Sequence, residues 1–398
     1  MKKAHLLPAD ILIPSKNFES WSVIACDQYT SEPEYWDGVK KAAGDNASAL
    51  NIILPEVYLS SDDEEKIKKI NETMAEYLSG DVFETHENTM VYIERTLKDS
   101  KVRRGVLGLI DLEDYSYLKG ADTFIRATEE TVLERIPPRV NIRKDASIEL
   151  PHIMLLIDDA ENTVLEPLTN NKEKYSKLYD FELMQNAGKI KGYAISPEDV
   201  YALQEELCSL ASVSADGLLF AVGDGNHSLA SAKECYNQGK GPRYALVEVV
   251  NIHDDSLEFE PIYRVLFSAK PEKIINDFLE TLGGEYTGSD AQKFTCVYGD
   301  TEREISVKPT AKLPVATLQT FLDGYIAKNP EIKIDYIHGE DSLKTLAKKP
   351  DSLGFIFKGM DKGELFPAIS ADGSLPRKTF SMGCADDKRF YLEARKIK

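Results

Sequence analysis

Residues 222–232 read VGDGNHSLASA, which gathers an acid (Asp224), an amide (Asn226), an imidazole (His227) and a hydroxyl (Ser228) around two turn-forming glycines, Gly223 and Gly225. An apolar run leads into this turn and a helical pattern leaves it. A strand entering a helix in this way aims free backbone N–H groups, and the positive end of the helix dipole, at whatever lies before the turn. That is an anion site. His227 can offer a phosphate a hydrogen bond or a positive charge, Asn226 can donate through its amide, and Asp224 can hold Mg²⁺ or orient an attacking hydroxyl. The same residues also fit an ordinary turn in which an Asn or Asp side chain caps the helix that follows.

The elements that must position this turn follow from periodicity. A strand is predicted over 218–222, a helix from about 228 to 236 and another strand over 244–251. Upstream, Ser61 and Glu64 have the spacing of a capping box for a helix over 62–79. Strands are expected over 90–94 and 105–112, and "HIMLLI" at 152–157 reads as a buried strand. Thr128 can cap a short helix within 125–140, which Pro137-Pro138 would stop. Residues 158–195 look irregular, an elaboration on the core, before Ser196-Pro197 opens a helix carrying Val200, Leu203, Leu207 and Leu210. Past Phe267 the pattern restarts with helices near 274–282 and 316–327 and strands near 293–298 and 352–357. The expected class is mixed α/β (α+β): an N-terminal α/β region over 1–118, a central phosphate-binding domain over 119–270, and a C-terminal α/β domain over 271–398.

Composition narrows the partners. With 48 Lys+Arg against 67 Asp+Glu the 398-residue chain carries a formal charge of −19, which disfavours a nucleic-acid partner. No run approaches the roughly 20 apolar residues of a membrane helix. Five widely spaced cysteines suit neither a disulfide framework nor a cysteine zinc site. Pro8, Asp10 and Pro14 break the N-terminal apolar run before a signal-peptide core can form, so a cytoplasmic protein is expected. His5, His86, His152, His253 and His338 lack metal-cluster spacing and read as solvated or core histidines. Cys26-Asp27-Gln28-Tyr29 could line the site from the N-terminal segment, although an isolated cysteine such as Cys26 reads as a small buried hydrophobe.

The turn resembles the Asp-Gly-His-His-Arg loop of the ParB/sulfiredoxin superfamily, and more closely that of its free serine kinases and of a bacterial family known as domain of unknown function 1015. Three further stretches resemble segments of that last family in order: "FIRATEET" at 124–131, "PIYRVLF" at 261–267 and "LPRKTFSM" at 375–382, with "ACDQYTSEPEYW" at its N-terminal place. The resemblance implies a central ParB/sulfiredoxin-like domain with α/β elaborations on either side.

It also implies roles. Glu129 falls on the glutamate that activates the substrate hydroxyl in the serine kinases, with Glu130 as its neighbour and rival. Asp224 and His227 fall on the aspartate and second histidine of their loop. Asn226 replaces the first histidine and stands where sulfiredoxin chemistry needs a cysteine, which excludes that activity, and Ser228 replaces the arginine. The lost cation must then come from Arg126, Arg264, Lys378 or a metal ion. Taken alone, Glu129 is a helix N-terminal acid, and Arg264 an ordinary ion-pair partner at a strand end. The implied reaction interconverts L-serine and O-phospho-L-serine, with ATP or ADP as co-substrate and Mg²⁺ near Asp224. A sensor that binds a nucleotide or phosphometabolite without turnover, and a nucleotide-independent phosphatase, are the alternatives.

Overall fold

A computed structural model describes residues 3–59, 63–383 and 385–398. The chain forms two compact units, one made of Met1–Leu257 with Gly383–Lys398 and the other of Glu258–Met382. The three regions expected from sequence divide differently, because strands from 1–118 and 119–270 belong to one sheet and because the chain leaves the first unit and later returns to it.

The first unit is built on a nine-stranded mixed sheet. Its strands are β1 (Val91–Thr96), β2 (Val102–Asp111), β3 (Tyr115–Ser116), β4 (Ile125–Ala127), β5 (Ile153–Ile157), β6 (Ser176–Glu182), β7 (Lys189–Ala194), β8 (Phe220–Asp224) and β9 (Tyr244–Asn251). Their order across the sheet is β6-β7-β1-β2-β9-β5-β8-β4-β3. β9 runs parallel to β5, and β8 parallel to β4. Alternation along the strands sends side chains to both faces. Val91, Ile93, Leu107 and Leu246 join one core with the N- and C-terminal segments, while Tyr92, Val106, Ala245 and Val247 join the other with Leu203 and Leu207.

Four helices matter for the argument: α1 (Glu64–Ser79), α2 (Ile136–Arg143), α3 (Pro197–Val213) and α4 (Asn226–Asn237). Ser196 caps α3 as expected, its hydroxyl accepting from the Asp199 N–H at 3.2 Å. The Ser61 end of the capping box before α1 lies outside the described residues. Three expectations change. Residues 125–127 pair with 220–222 as a parallel strand, so Thr128 does not cap a helix; its hydroxyl donates to the Val222 carbonyl at 2.7 Å. Pro137 and Pro138 start α2 instead of stopping a helix, since the missing N–H groups of proline cost nothing in a first turn. Residues 158–195, expected to be irregular, contain the β6–β7 hairpin that extends the sheet beside β1.

The second unit carries an antiparallel sheet of β10 (Phe259–Phe267), β11 (Gln292–Tyr298), β12 (Thr301–Val307), β13 (Lys333–His338) and β14 (Ser352–Phe357), in the order β12-β11-β14-β10-β13. Phe380–Met382 pairs with the start of β10. Helices Pro271–Thr281, Pro314–Lys328 and Glu340–Ala347 contribute apolar side chains such as Phe278, Leu318 and Leu343 to its core.

The returning segment is stitched into the first unit. Phe390–Tyr391 pairs with Val23–Ile24, and Leu12 and Ala394 exchange backbone hydrogen bonds at 2.8 Å. Arg389 is 2% exposed and lies between Glu248 and Glu393, themselves 1% and 0% exposed. Its Nη1 pairs with Glu248, its Nη2 with Glu393 at 2.6 Å, and its Nε donates to the Pro151 carbonyl at 3.1 Å. Tyr179 donates its hydroxyl to Glu393. Removing one partner of a buried ion pair costs far more than the pair itself contributes. Arg389→Met, which leaves both carboxylates buried without their cation, is therefore expected to destabilise the protein by about 3–5 kcal/mol. Urea unfolding monitored by tryptophan fluorescence measures this, and an unchanged midpoint would contradict the clamp.

Candidate functional site

The register of β8 against β5 slips between Val222 and Asp224, which places a bulge at Gly223. Bulges bend a strand and re-aim the next side chain. Gly225 follows at φ 80°, a left-handed conformation that ends the strand and starts α4. A Cβ there would lie 2.9 Å from His152 Cδ2 and 3.1 Å from Ile153 Cα, so the turn also rests directly on the start of β5. α4 begins at Asn226, two residues before the expected start, which puts Asn226, His227 and Ser228 in its first turn. No side chain caps these N–H groups among the described residues. The Asn226 Oδ1 is buried and has no hydrogen-bond partner among them.

Glu129 belongs to a short extended stretch fastened at both ends beside this turn. Thr128 holds the Val222 carbonyl at the end of β8, and the Val132 N–H donates to His227 Nε2 at 3.3 Å. Glu129 sits between these two anchors, half-buried. It is not a helix N-terminal acid. Glu130 is exposed and paired with Lys119 at 3.2 Å. The structure thus sets the chain around Glu129 beside the turn that carries Asp224 and His227.

The candidate cations fare differently. Arg126 points away from the turn, its guanidinium pairing with Asp216 and its Nε donating to the Thr123 carbonyl at 2.9 Å, beside the other end of β4 and β8. Arg264 and Lys378 belong to the second unit. There Arg264 is fully buried, donating to Gln319 Oε1 at 2.8 Å and to the Lys378 carbonyl at 2.9 Å. The cation that does meet Asp224 is Lys388, whose Nζ lies 3.4 Å from Asp224 Oδ2, while Oδ1 accepts the Gly225 N–H at 2.9 Å.

Asp224 is thus the carboxylate of the turn, and both of its oxygens are engaged. Among the described residues no group of three or more His, Cys, Asp or Glu side chains is placed to hold a metal ion. One carboxylate fits a Mg²⁺ that arrives with nucleotide phosphates, not one held by the protein alone.

Behind the turn lies a network that the scattered histidines did not reveal. Tyr391 Oη accepts the Cys26 N–H at 3.2 Å and donates to Cys26 Sγ at 3.3 Å. Its remaining lone pair can accept from His152 Nδ1, 2.6 Å away. His152 Nε2 faces Asp27 Oδ2 at 3.4 Å, an arrangement that favours the doubly protonated imidazole. Burial works against that charge, yet Tyr391, Asp27 and Cys26 together raise the imidazole pKa well above 6.5. Burial likewise opposes the Asp27 charge, and His152, Gln28 and Lys388 overcome it, holding the carboxyl well below its usual range. The sequence signal was the placing of Asp27 beside Cys26 in "ACDQYTSEPEYW"; nothing in the spacing linked it to His152 or Tyr391.

His227 is in the opposite state. Burial, with the positive charges of Arg139 and Arg135, pushes its pKa down to about 4. Its Nε2 accepts from Val132, so the proton sits on Nδ1. In the unliganded protein at neutral pH His227 therefore presents a neutral Nδ1–H donor at the turn.

With the fold and turn in view, the class is a mixed α/β protein with a bulged, glycine-bearing turn at the head of a helix. The family model described as protein of unknown function (DUF1015) matches residues 6–325, and the chain belongs to that family. No curated protein matches the sequence. Among solved structures the chain is similar to a conserved hypothetical protein from Pyrococcus furiosus, at 14% identity over 75% of this chain and 96% of that one, with a TM-score of 0.38. It is similar to a free serine kinase in complex with AMP at 12% identity over 75% and 92%, TM-score 0.40. A C-terminally truncated SbnI from Staphylococcus aureus matches at 12% identity over 72% and 85%, TM-score 0.38.

The two histidines predict opposite titrations. His227, depressed to about 4 from an ordinary 6.5, contributes stability that is complete above pH 6.5 and is lost as pH falls through about 4. His152, with a raised pKa, contributes stability that is complete below pH 6.5 and is lost as pH rises through its folded value. Imidazole nitrogen NMR at pH 7 is expected to report His152 doubly protonated and His227 as the neutral Nδ1–H tautomer. A charged His227 at that pH would contradict this assignment.

Proposed function

We propose that the protein transfers a phosphoryl group between a nucleotide and a small hydroxy amino acid, interconverting L-serine and O-phospho-L-serine. The observation that carries this reading is the bulged turn at the head of α4, which bears Asp224 and His227 and has the chain around Glu129 fastened beside it. Family resemblance supplies the substrate class.

In the direction of phosphorylation, Glu129 accepts the proton of the serine hydroxyl while its oxygen forms the new bond to phosphorus. The bond from phosphorus to the bridging oxygen of the nucleotide breaks, and the nucleoside diphosphate leaves with that electron pair. The first-turn N–H groups of α4 and the Nδ1–H of His227 donate to the phosphoryl oxygens as charge gathers on them. Asp224 orients Lys388 and the turn. A Mg²⁺ bound with the nucleotide would neutralise phosphate charge, with Asp224 as its protein ligand. A second reading, a sensor that binds the same ligands without turnover, is favoured by Ser228 in place of the loop arginine.

Phosphorus NMR of O-phospho-L-serine with Mg²⁺, with and without ADP, and of L-serine with ATP, tests both. The expected outcome is nucleotide-dependent exchange that falls by roughly 100-fold or more in Glu129→Gln, within the range for loss of a general base. Free phosphate released without ADP would make the protein a phosphatase. Ligand binding with no turnover in any mixture would leave the sensor.

A further inference from the structure

The loop that should carry a permanent positive charge for phosphate has Ser228 at the arginine position. We infer that Lys388, delivered by the returning C-terminal segment, is the phosphate-binding cation of this site, held by Asp224 when the site is empty and passed to the phosphate oxygens when it is filled. This rests on the phosphate-handling reading of the turn, but not on turnover.

Several observations converge on it. Lys388 Nζ is 3.4 Å from Asp224 Oδ2, longer than the 2.7–2.9 Å typical of a charge-assisted N–H···O bond, and the two side chains are 20% and 17% exposed. The head group is sheltered, within reach of solvent, and loosely held. Its backbone is the reverse. Arg95 donates to the Lys388 and Asp386 carbonyls at 3.4 and 2.9 Å, Arg103 donates to the Asp387 carbonyl, and Arg389 anchors the next residue in the core. A fixed Cα beneath a four-carbon stem lets the ammonium swing from Asp224 to a neighbouring anion without moving the chain.

Other cations near the turn are placed less well. Arg139 is paired with Glu56, and Arg126 points to Asp216 at the far end of β4 and β8. Arg135 is exposed, although its charge reaches His227. The buried Asn226 Oδ1, without a partner among the described residues, adds an acceptor at the same turn that suits an N–H or O–H donor of a ligand rather than a phosphate oxygen. Lys388 lies outside residues 6–325, the span matched by the family model, so no motif in that span could have pointed to it.

The test is calorimetric titration of the full chain with inorganic phosphate and with ADP, comparing the native protein with Lys388→Met, Lys388→Arg and Arg135→Met, each checked for an unchanged urea midpoint. Lys388→Met is expected to bind both ligands roughly 10- to 100-fold more weakly, the range for loss of one charge-assisted hydrogen bond. Lys388→Arg should recover most of that loss, and Arg135→Met should change little. Native-like binding by Lys388→Met overturns the inference, as does a loss confined to Arg135→Met, or a native protein that binds neither ligand. If binding depends on Lys388 while the phosphorus NMR mixtures show no transfer, the cation stands and the transferase reading falls.

Discussion

The buried grip of Arg389 on Glu248 and Glu393 is the constraint from which the rest of the site follows. Three charges in a nearly dry core hold together only if each keeps its partners, so the returning segment has one place to lie. Lying there, it pairs with Val23–Ile24, sets Tyr391 against Cys26 and His152, and sets Lys388 against Asp224. Two ends of the chain thereby meet behind a turn that belongs to neither.

Electrostatically the site is divided in two. Behind the turn, Asp27 and His152 form a closed ion pair whose charges cancel at short range. At the turn, His227 is kept neutral by burial and by the arginines nearby. The positive character offered to an anion therefore comes from helix N–H groups and from a lysine, not from imidazolium. Under the proposed function, a phosphate there meets directed N–H donors and one ammonium.

Much of the sheet was legible in the sequence, since strands such as 352–357 and 244–251 are apolar runs of strand length. The turn was legible too, because glycine spacing and the step from strand to helix are local signals. What lay hidden was non-local. Thr128 looked like a helix cap because a hydroxyl that can bond a first-turn N–H can equally bond a strand carbonyl, and only the parallel pairing with β8 decides between them. Pro137-Pro138 suit both the end and the start of a helix. Lys388 and Tyr391 were invisible because 125 residues of a separate compact unit, Glu258–Met382, stand between them and the strands they complete. Periodicity carries no information across such an insertion.

That insertion also bears on how the molecule is made. The strands that cradle the turn are synthesised before residue 257, yet the lysine and tyrosine that finish it emerge only after the whole of Glu258–Met382. Contacts of such sequence separation are slow to form, because the intervening chain must be organised before its ends can close. On the ribosome the turn is therefore made well before the lysine and tyrosine that pack against it, and those contacts can close only once residues 388–391 have emerged.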